Sequence, residues 1–271
     1  MSNGLSAVND SASNEVADDV SACAFELRLV NGFRLLQGGR DVVLPVCGQR
    51  LVAYLGLVAR PTRPAVAGTL WPDASESHAS ASLRSALWRV NSISPGVVRA
   101  EHSTLSLSSA ANIDITKLRA CIRSALTCEP GDEIDLLSAD LNGDLLPGWD
   151  EEWILLEREH LRLLRLRAVE ATSDHLRRQG RLGAALLAVY SVIKEEPLRE
   201  SAQRLAVQIH IEDGNLADAA NQVQQYAETL QRELGISPSP AMLAMLSEAR
   251  VRRSPADATR VEHRGEDVTR A

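Results

Sequence analysis

The residues of this chain best suited to recognise a ligand lie together in segment 77–93. Winding the segment at about 100° per residue separates an apolar side from an outward side of small, polar and cationic residues. The outward residues are Ser77, His78, Ala81, Arg84, Ser85, Trp88, Arg89 and Ser92. Small residues let a helix enter the major groove of DNA, and a guanidinium donates two hydrogen bonds to guanine or reaches a phosphate. The segment therefore has the chemistry of a DNA-reading helix.

Individual side chains of this outward face are expected to differ in role. We expect Arg84, nearer the helix start, to read a base and Arg89 to bind a phosphate, with Ser77 and His78 on the DNA backbone. An exposed Trp is costly, so the alternative for Trp88 is packing against a neighbouring part of the protein. For the whole outward face, the alternative to a DNA-binding surface is an ordinary solvated helix face that happens to lack Glu. The side predicted to be buried consists of Ala79, Leu83, Ala86, Leu87, Val90 and Ile93.

The elements around this helix are predicted from residues 25–110. A three-stranded antiparallel sheet is expected from "FELRLV", "FRLL" and "VVLPV", with turns at "NG" and "QGGRD". Helices are expected over 48–59, 65–71 and 79–93, the first two separated by "RPTRP". The strands "VVRA" and "TLSLS" then form a hairpin with His102 near its tip, where it would contact the DNA backbone. This order is that of a winged helix-turn-helix, which lays its last helix in the major groove.

The second half of the chain contains a repeat. Gly180 and Gly214 lie 34 residues apart, and at that offset aliphatic residues recur in pairs. The pairs are Leu182 with Leu216, Ala185 with Ala219, and Val189 with Val223. Thirty-four residues is about the period of tetratricopeptide repeats, in which small residues let paired helices approach closely. The repeat predicts an all-helical array.

The helices of this array are expected at 114–127, 151–179, 182–195, 198–213, 216–234 and 240–251. Pro197 is expected to start the next helix at a repeat boundary. Trp149, Trp153 and Leu156 are expected to pack the start of the long helix. Arrays of this kind offer a groove or a flat face to another protein rather than a reactive centre.

Composition and charge narrow the classes of function. The chain has 271 residues, of which 45% are hydrophobic and 24% charged, and this predicts two globular domains. Residues 25–110 carry nine cations and five anions, a net charge of +4, whereas residues 111–253 carry a net charge of −6. A basic segment inside an acidic protein is typical of a nucleic-acid-binding module whose neighbouring domain does not touch phosphate.

Several other classes receive no support from the sequence. No run approaches the roughly 18 apolar residues of a membrane helix, and residues 1–24 do not resemble a signal peptide, so we expect a cytoplasmic protein without a membrane partner. No CxxC pair or zinc-like His spacing is present, which predicts free buried thiols, no metal and no cofactor. The histidines gather no catalytic constellation, so we expect no enzyme. The four cysteines are Cys23, Cys47, Cys121 and Cys128.

Five stretches of the chain resemble the Streptomyces antibiotic regulatory protein (SARP) family. They are "LWPD", "ASLRSALWRV", "GDLLPGWDEEWILLEREHLRLLRLRAVEA", "EPLRESAQRLAV" and "ELGISPSPAMLAML". The resemblance implies an OmpR-type winged helix over 25–110 and a tetratricopeptide-like bacterial transcriptional activator domain over 111–253. The tails at 1–24 and 254–271 are expected to be disordered. The expected fold class is therefore mainly α with a small β part.

The resemblance also implies what the chain does. Such regulators activate a pathway, often that of a secondary-metabolite (antibiotic) gene cluster. They bind direct repeats in double-stranded promoter DNA as a homodimer and recruit RNA polymerase holoenzyme. We therefore expect this protein to associate with the nucleoid. The chain has no GxxxxGK[ST] motif and resembles the small class of the family. Where relatives continue with further Arg, this chain reads "NSISPG" from Asn91, which removes one or two phosphate contacts. That departure keeps open an alternative: a tetratricopeptide-like adaptor or anti-activator with weakened DNA binding.

Overall fold

The computed structural model describes residues 25–127 and 143–252 of the chain. The described residues are mainly helical with two small sheets, and they confirm the predicted fold class of a winged helix-turn-helix followed by a helical array. The two predicted tails lie outside the described residues.

The described residues form two compact units. The first contains residues 25–121 and 143–162, and the second contains residues 122–127 and 163–252. The sequence placed the boundary between the two predicted domains after residue 110. The chain crosses from one compact unit to the other inside two helices, at residues 121–122 and 162–163.

Three short strands open the first unit: β1 (Phe25–Arg28), β2 (Arg34–Gln37) and β3 (Arg40–Asp41). They pair antiparallel through turns at "NG" and "GG", and all four turn residues have the positive φ that tight hairpins require. The strand predicted at "VVLPV" is wrong, because β3 ends before it and this stretch leads into the first helix. Pro45 has no N–H to offer a sheet, and its carbonyl accepts instead from Gly48 and Gln49 at the helix start.

Three helices follow: α1 (Val46–Leu57), α2 (Arg63–Leu70) and α3 (Glu76–Ile93). α3 packs against both α1 and α2, and it buries Leu83, Ala86 and Val90. Gly48 brings α1 close to α3, since a Cβ on Gly48 would lie only 2.9 Å from Cγ2 of Val90. The inner side of α3 is therefore fixed by close packing, which leaves its outward side in a defined position.

A hairpin after α3 is held against the turn that precedes α2. Its strands are β4 (Val98–Glu101) and β5 (Thr104–Leu107). The backbone N–H of Arg63 donates to the carbonyl of Ser103, and that of Leu105 donates to the carbonyl of Pro61, each at 2.9 Å. The predicted hairpin with His102 at its tip is confirmed, and it forms the wing of the winged helix-turn-helix.

The sheet gains a fourth strand from beyond the wing. β6 (Ala111–Ile113) pairs in parallel with β1, so the sheet has four strands where three were predicted. Helix α4 (Asp114–Thr127) follows directly. The carboxylate of Asp114 accepts from the backbone N–H groups of Leu29 and Val30 at 2.7 and 2.9 Å, and so ties the start of α4 to the end of β1.

Residues 143–151 and the first three turns of helix α5 (Glu152–Arg178) belong to the first unit. The backbone N–H of the buried Leu146 donates to the carbonyl of Leu29 at 2.9 Å. Trp149 stacks on Phe33 with ring centroids 6.1 Å apart. Trp153 meets Tyr54 of α1 edge-on with centroids 5.3 Å apart. The predicted packing of both tryptophans is thus present, but their partners belong to the winged helix and not to the array.

Leu156 does not pack with these tryptophans as predicted. Its side chain is 67% exposed. Ile154, two residues earlier, is fully buried. Two residues turn a helix by about 200°, so Leu156 points away from the surface on which α5 rests.

The second unit stacks α6 (Leu182–Glu195), α7 (Glu200–Glu212), α8 (Leu216–Leu234) and α9 (Pro240–Arg252) next to the later part of α5. The repeat is confirmed in its packing. Gly180 and Gly214 both adopt positive φ in the turns that precede α6 and α8. Ala185, Val189, Ala219 and Val223 are all buried. Pro197 was predicted to start a helix, but it lies in the turn before α7, where its carbonyl accepts from Nε2 of Gln203 at 2.8 Å.

Two of the four cysteines fall in the described residues, and both have free thiols. Cys47 is half-buried, whereas Cys121 is exposed on α4, so the prediction of buried thiols is wrong for Cys121. Cys23 and Cys128 lie outside the described residues. Within residues 25–127 and 143–252, no group of three or more His, Cys, Asp or Glu residues is placed to hold a metal ion. None of the helices described is both long and apolar enough to span a membrane.

Candidate nucleic-acid interface

The start of α3 is fixed by a serine cap. Ser75 is the N-cap residue, and its Oγ accepts from the backbone N–H of His78 at 3.4 Å and lies 2.7 Å from Nδ1 of His78. The Oγ of Ser77 is 3.2 Å from the same hydroxyl. The helix therefore begins three residues before the predicted start, and Ser77 and His78 belong to its first turn. The first-turn N–H groups of a helix are suited to bind an anion such as phosphate.

The two sides of α3 divide nearly as predicted. All eight residues predicted on the outward side are exposed. Ala79, Leu83, Ala86 and Val90 are buried on the inner side, and Leu87 is half-buried. Ile93 was predicted to be buried, but it is 46% exposed, because the chain turns away from the core after this last residue of the helix.

Arg84 and Arg89 have different surroundings. Arg84 is exposed and makes no hydrogen bond or ion pair with any residue in the described part of the chain. Nη1 of Arg89 lies 3.8 Å from Sγ of Cys47 in the first turn of α1. Arg84 lies at one edge of the outward face, whereas Arg89 lies at the opposite edge, beside α1.

Trp88 is the one large apolar side chain of the outward face. Its side chain is 71% exposed, so the part of the chain that the structure describes does not cover it. It lies one turn after Arg84 and one turn before Ser92, whose hydroxyl donates to the Trp88 carbonyl at 2.8 Å. The indole therefore presents an apolar ring in the middle of a polar surface.

The wing adds two further groups. His102 has a φ of 52° and stands exposed at the hairpin tip. Arg99 of β4 is also exposed and has no ion-pair partner among the described residues. Arg60 and Glu101 neutralise each other in an exposed ion pair of 2.5 Å. The sequence-based prediction missed Arg99, although the alternation in "VVRA" indicates that its side chain points away from the half-buried Val98.

Comparison with known proteins finds a family model and a similar solved structure. Residues 137–250 match the family model of the bacterial transcriptional activator domain. Among solved structures, the chain is similar to that of Mycobacterium tuberculosis EmbR in complex with a low affinity phosphopeptide, with a TM-score of 0.69 and 20% sequence identity. The alignment covers 88% of this chain and 68% of the EmbR chain, and it shows a shared fold. The comparison with curated proteins gives no match.

A winged helix-turn-helix joined to a bacterial transcriptional activator domain defines a class of transcription regulator. The match to the bacterial transcriptional activator domain covers residues 137–250, and the likeness to EmbR is one of fold.

Proposed function

We propose that the chain binds promoter DNA by placing the outward face of α3 in the major groove. The observation that carries the proposal is the exposure of all eight residues predicted on the outward side of α3, seven of them predicted DNA contacts, while the opposite side of the helix is buried. Such a surface takes no part in the protein's own core, so its composition is available for recognition. Its small residues permit close approach, and its guanidinium groups match the acceptors on guanine and phosphate.

The surroundings of each side chain suggest its role. Arg84 has no protein partner among the described residues and lies nearer the start of α3 than Arg89 does, which suits bidentate contact with a base. Arg89 lies at the border near Cys47, which suits a phosphate beside the groove. The first turn of α3, with Ser77 and His78, contacts the backbone on one side. The wing, with His102 and Arg99, contacts it on another.

The activator domain suggests the wider role. We propose that two copies bind direct repeats at a promoter and recruit RNA polymerase holoenzyme to a secondary-metabolite gene cluster. Asn91 and Ser92 are exposed and stand where relatives carry further Arg, so this chain lacks the phosphate contacts that those cations would make. Binding as a dimer compensates for the missing contacts. Linking two weak contacts raises the effective concentration of the second, and the pair binds more tightly than either alone.

In vitro selection from a pool of random-sequence duplexes tests the proposal and identifies the preferred operator in the same experiment. The full-length chain should enrich sequences that contain two copies of one motif in the same orientation. Their centres should lie about 10 to 10.5 base pairs apart, or a multiple of that, because both copies must face the same side of the duplex. If no motif is enriched over the starting pool, α3 does not read DNA, and the adaptor or anti-activator alternative takes its place.

A further inference from the structure

A groove on the second unit has no part in the proposed contacts with DNA. It has a volume of 830 Å³ and lies along α5, α7 and α9, with the end of α4 at one side. Its lining combines charged and aliphatic side chains and contains no aromatic ring. Small-molecule sites are usually enclosed and lined by apolar and aromatic groups, so this groove is better suited to a segment of another protein.

The two carboxylates that line the groove are already engaged. Glu170 accepts from Nε and Nη2 of Arg199 at 2.8 Å each, and from the Ser201 hydroxyl at 2.6 Å. Asp174 pairs with Arg177 at 2.8 Å and with Arg178 at 2.5 Å. Burial lowers the pKa of Arg177, but the hydrogen bonds and charges of Asp174 and Glu212 together outweigh it, so the pKa is raised. These acids therefore offer little charge to an incoming ligand.

Two arginines in the same groove remain available. Arg167 of α5 and Arg204 of α7 both line it, and both are exposed. Neither forms a hydrogen bond or an ion pair with any other residue that the structure describes. The unneutralised charge of the groove is thus positive, although the wider region 111–253 is acidic.

Aliphatic side chains line the groove together with these arginines. Leu205 of α7 and Met245 of α9 are half-buried, and Leu126 at the end of α4 is 44% exposed. Methionine adapts its shape to different apolar partners. The groove therefore presents apolar surface together with two guanidinium groups.

We infer that this groove binds an acidic peptide segment of a partner protein. Two carboxylates of the segment pair with Arg167 and Arg204, and an aliphatic side chain between them rests on Leu205 and Met245. Guanidinium groups bind carboxylates through paired, charge-assisted hydrogen bonds, and clusters of arginine are a recurrent means of recognising acidic motifs. The inference does not depend on the binding of DNA by α3.

A peptide-display selection tests the inference. A library of random 12-residue peptides is panned on the immobilised full-length chain, with counter-selection on the variant Arg167→Glu, Arg204→Glu. Peptides retained by the unchanged protein should contain at least two Asp or Glu residues and at least one Leu, Ile, Val or Met. Fluorescence anisotropy with a labelled, enriched peptide should show a loss of affinity of about tenfold or more for each arginine removed. The same peptide with Gln and Asn in place of its acids should lose binding to a similar extent.

Two further variants separate recognition from folding and from total charge. Arg167→Gln with Arg204→Gln removes the guanidinium groups without introducing acids beside Glu170, and it should still weaken binding. Arg181→Glu with Arg232→Glu makes the same change of charge at exposed positions outside the groove and should leave binding within about twofold. The inference is overturned if no acidic peptide is enriched, or if the control outside the groove loses as much affinity as the groove variants.

Discussion

Replacing Trp153 by Ala should destabilise the winged-helix unit and leave the helical array intact. Truncating a buried aromatic side chain costs about 3–5 kcal/mol, and the half-buried Trp153 belongs at the lower end, near about 3 kcal/mol. Part of that cost, about 0.5–1.5 kcal/mol, is the edge-on contact with Tyr54. The buried Nε1 of Trp153 has no hydrogen-bond partner among the described residues. Because a buried, unpaired N–H is destabilising, removing it offsets about 1 kcal/mol of the loss in unfolding free energy. The expected net loss is about 2 kcal/mol.

Hydrogen exchange with peptide-resolved mass spectrometry locates this loss. Protection should fall in residues 25–121 and stay unchanged in residues 182–252. Trp153→Phe keeps a ring near Tyr54 and removes the unpaired N–H, so it should cost less than about 1 kcal/mol. Leu156→Ala, at an exposed position of the same helix, should stay within about 0.5 kcal/mol. The reasoning is refuted if Trp153→Ala lowers protection in the array first, or if the Phe and Ala variants are equally destabilised.

Three further predictions follow from individual residues. Ala219 is fully buried where α8 packs on its neighbours, so Ala219→Leu should lower the free energy of unfolding of the second unit by about 1–3 kcal/mol in urea titrations. The control Ala220→Leu, at the half-buried position beside it, should lower this free energy less. Burial and the nearby Glu200 raise the pKa of Tyr226, so the unfolded chain loses this proton first. The free energy of unfolding should therefore be constant below about pH 9 and fall as the pH rises through about 10 and beyond. This fall should be shallower in Tyr226→Phe. An unchanged slope in that variant would contradict the raised pKa of Tyr226. The exposed indole of Trp88 is suited to contact a thymine methyl group. Replacing thymine by deoxyuridine in a selected DNA site should therefore weaken binding of the unchanged protein at one position and have no effect at that position in Trp88→Ala. Equal losses of affinity in both proteins would show that Trp88 does not contact the bases.

Local periodicity explains why so many helices could be predicted from the sequence. α4, α6 and α8 have the bounds that their apolar spacing indicates, and α5 differs by one residue at each end. The same spacing predicted every exposed residue on the outward face of α3. It failed at Ile93, where periodicity continues in the sequence but the packed neighbours of the helix come to an end.

Contacts between distant segments could not be predicted in this way. β6 pairs with β1 from more than 80 residues away, and no pattern within either strand specifies a parallel partner. Trp149 and Trp153 were identified as packing residues, but their partners Phe33 and Tyr54 lie in another part of the chain. The groove of the second unit combines side chains from four helices, so it emerges only from the packed array.

The titration of one double variant tests most directly whether α3 reads DNA. Full-length Arg84→Ala, Arg89→Ala is checked by circular dichroism for an intact fold and titrated against a selected DNA site and a random duplex at two salt concentrations. Loss of the base contact should reduce discrimination between the two duplexes by about 1–3 kcal/mol. Loss of the phosphate contact should weaken binding to both and reduce the slope of log K against log salt concentration by about one. A folded double variant with unchanged affinity, discrimination and salt dependence would contradict the DNA-reading role of α3.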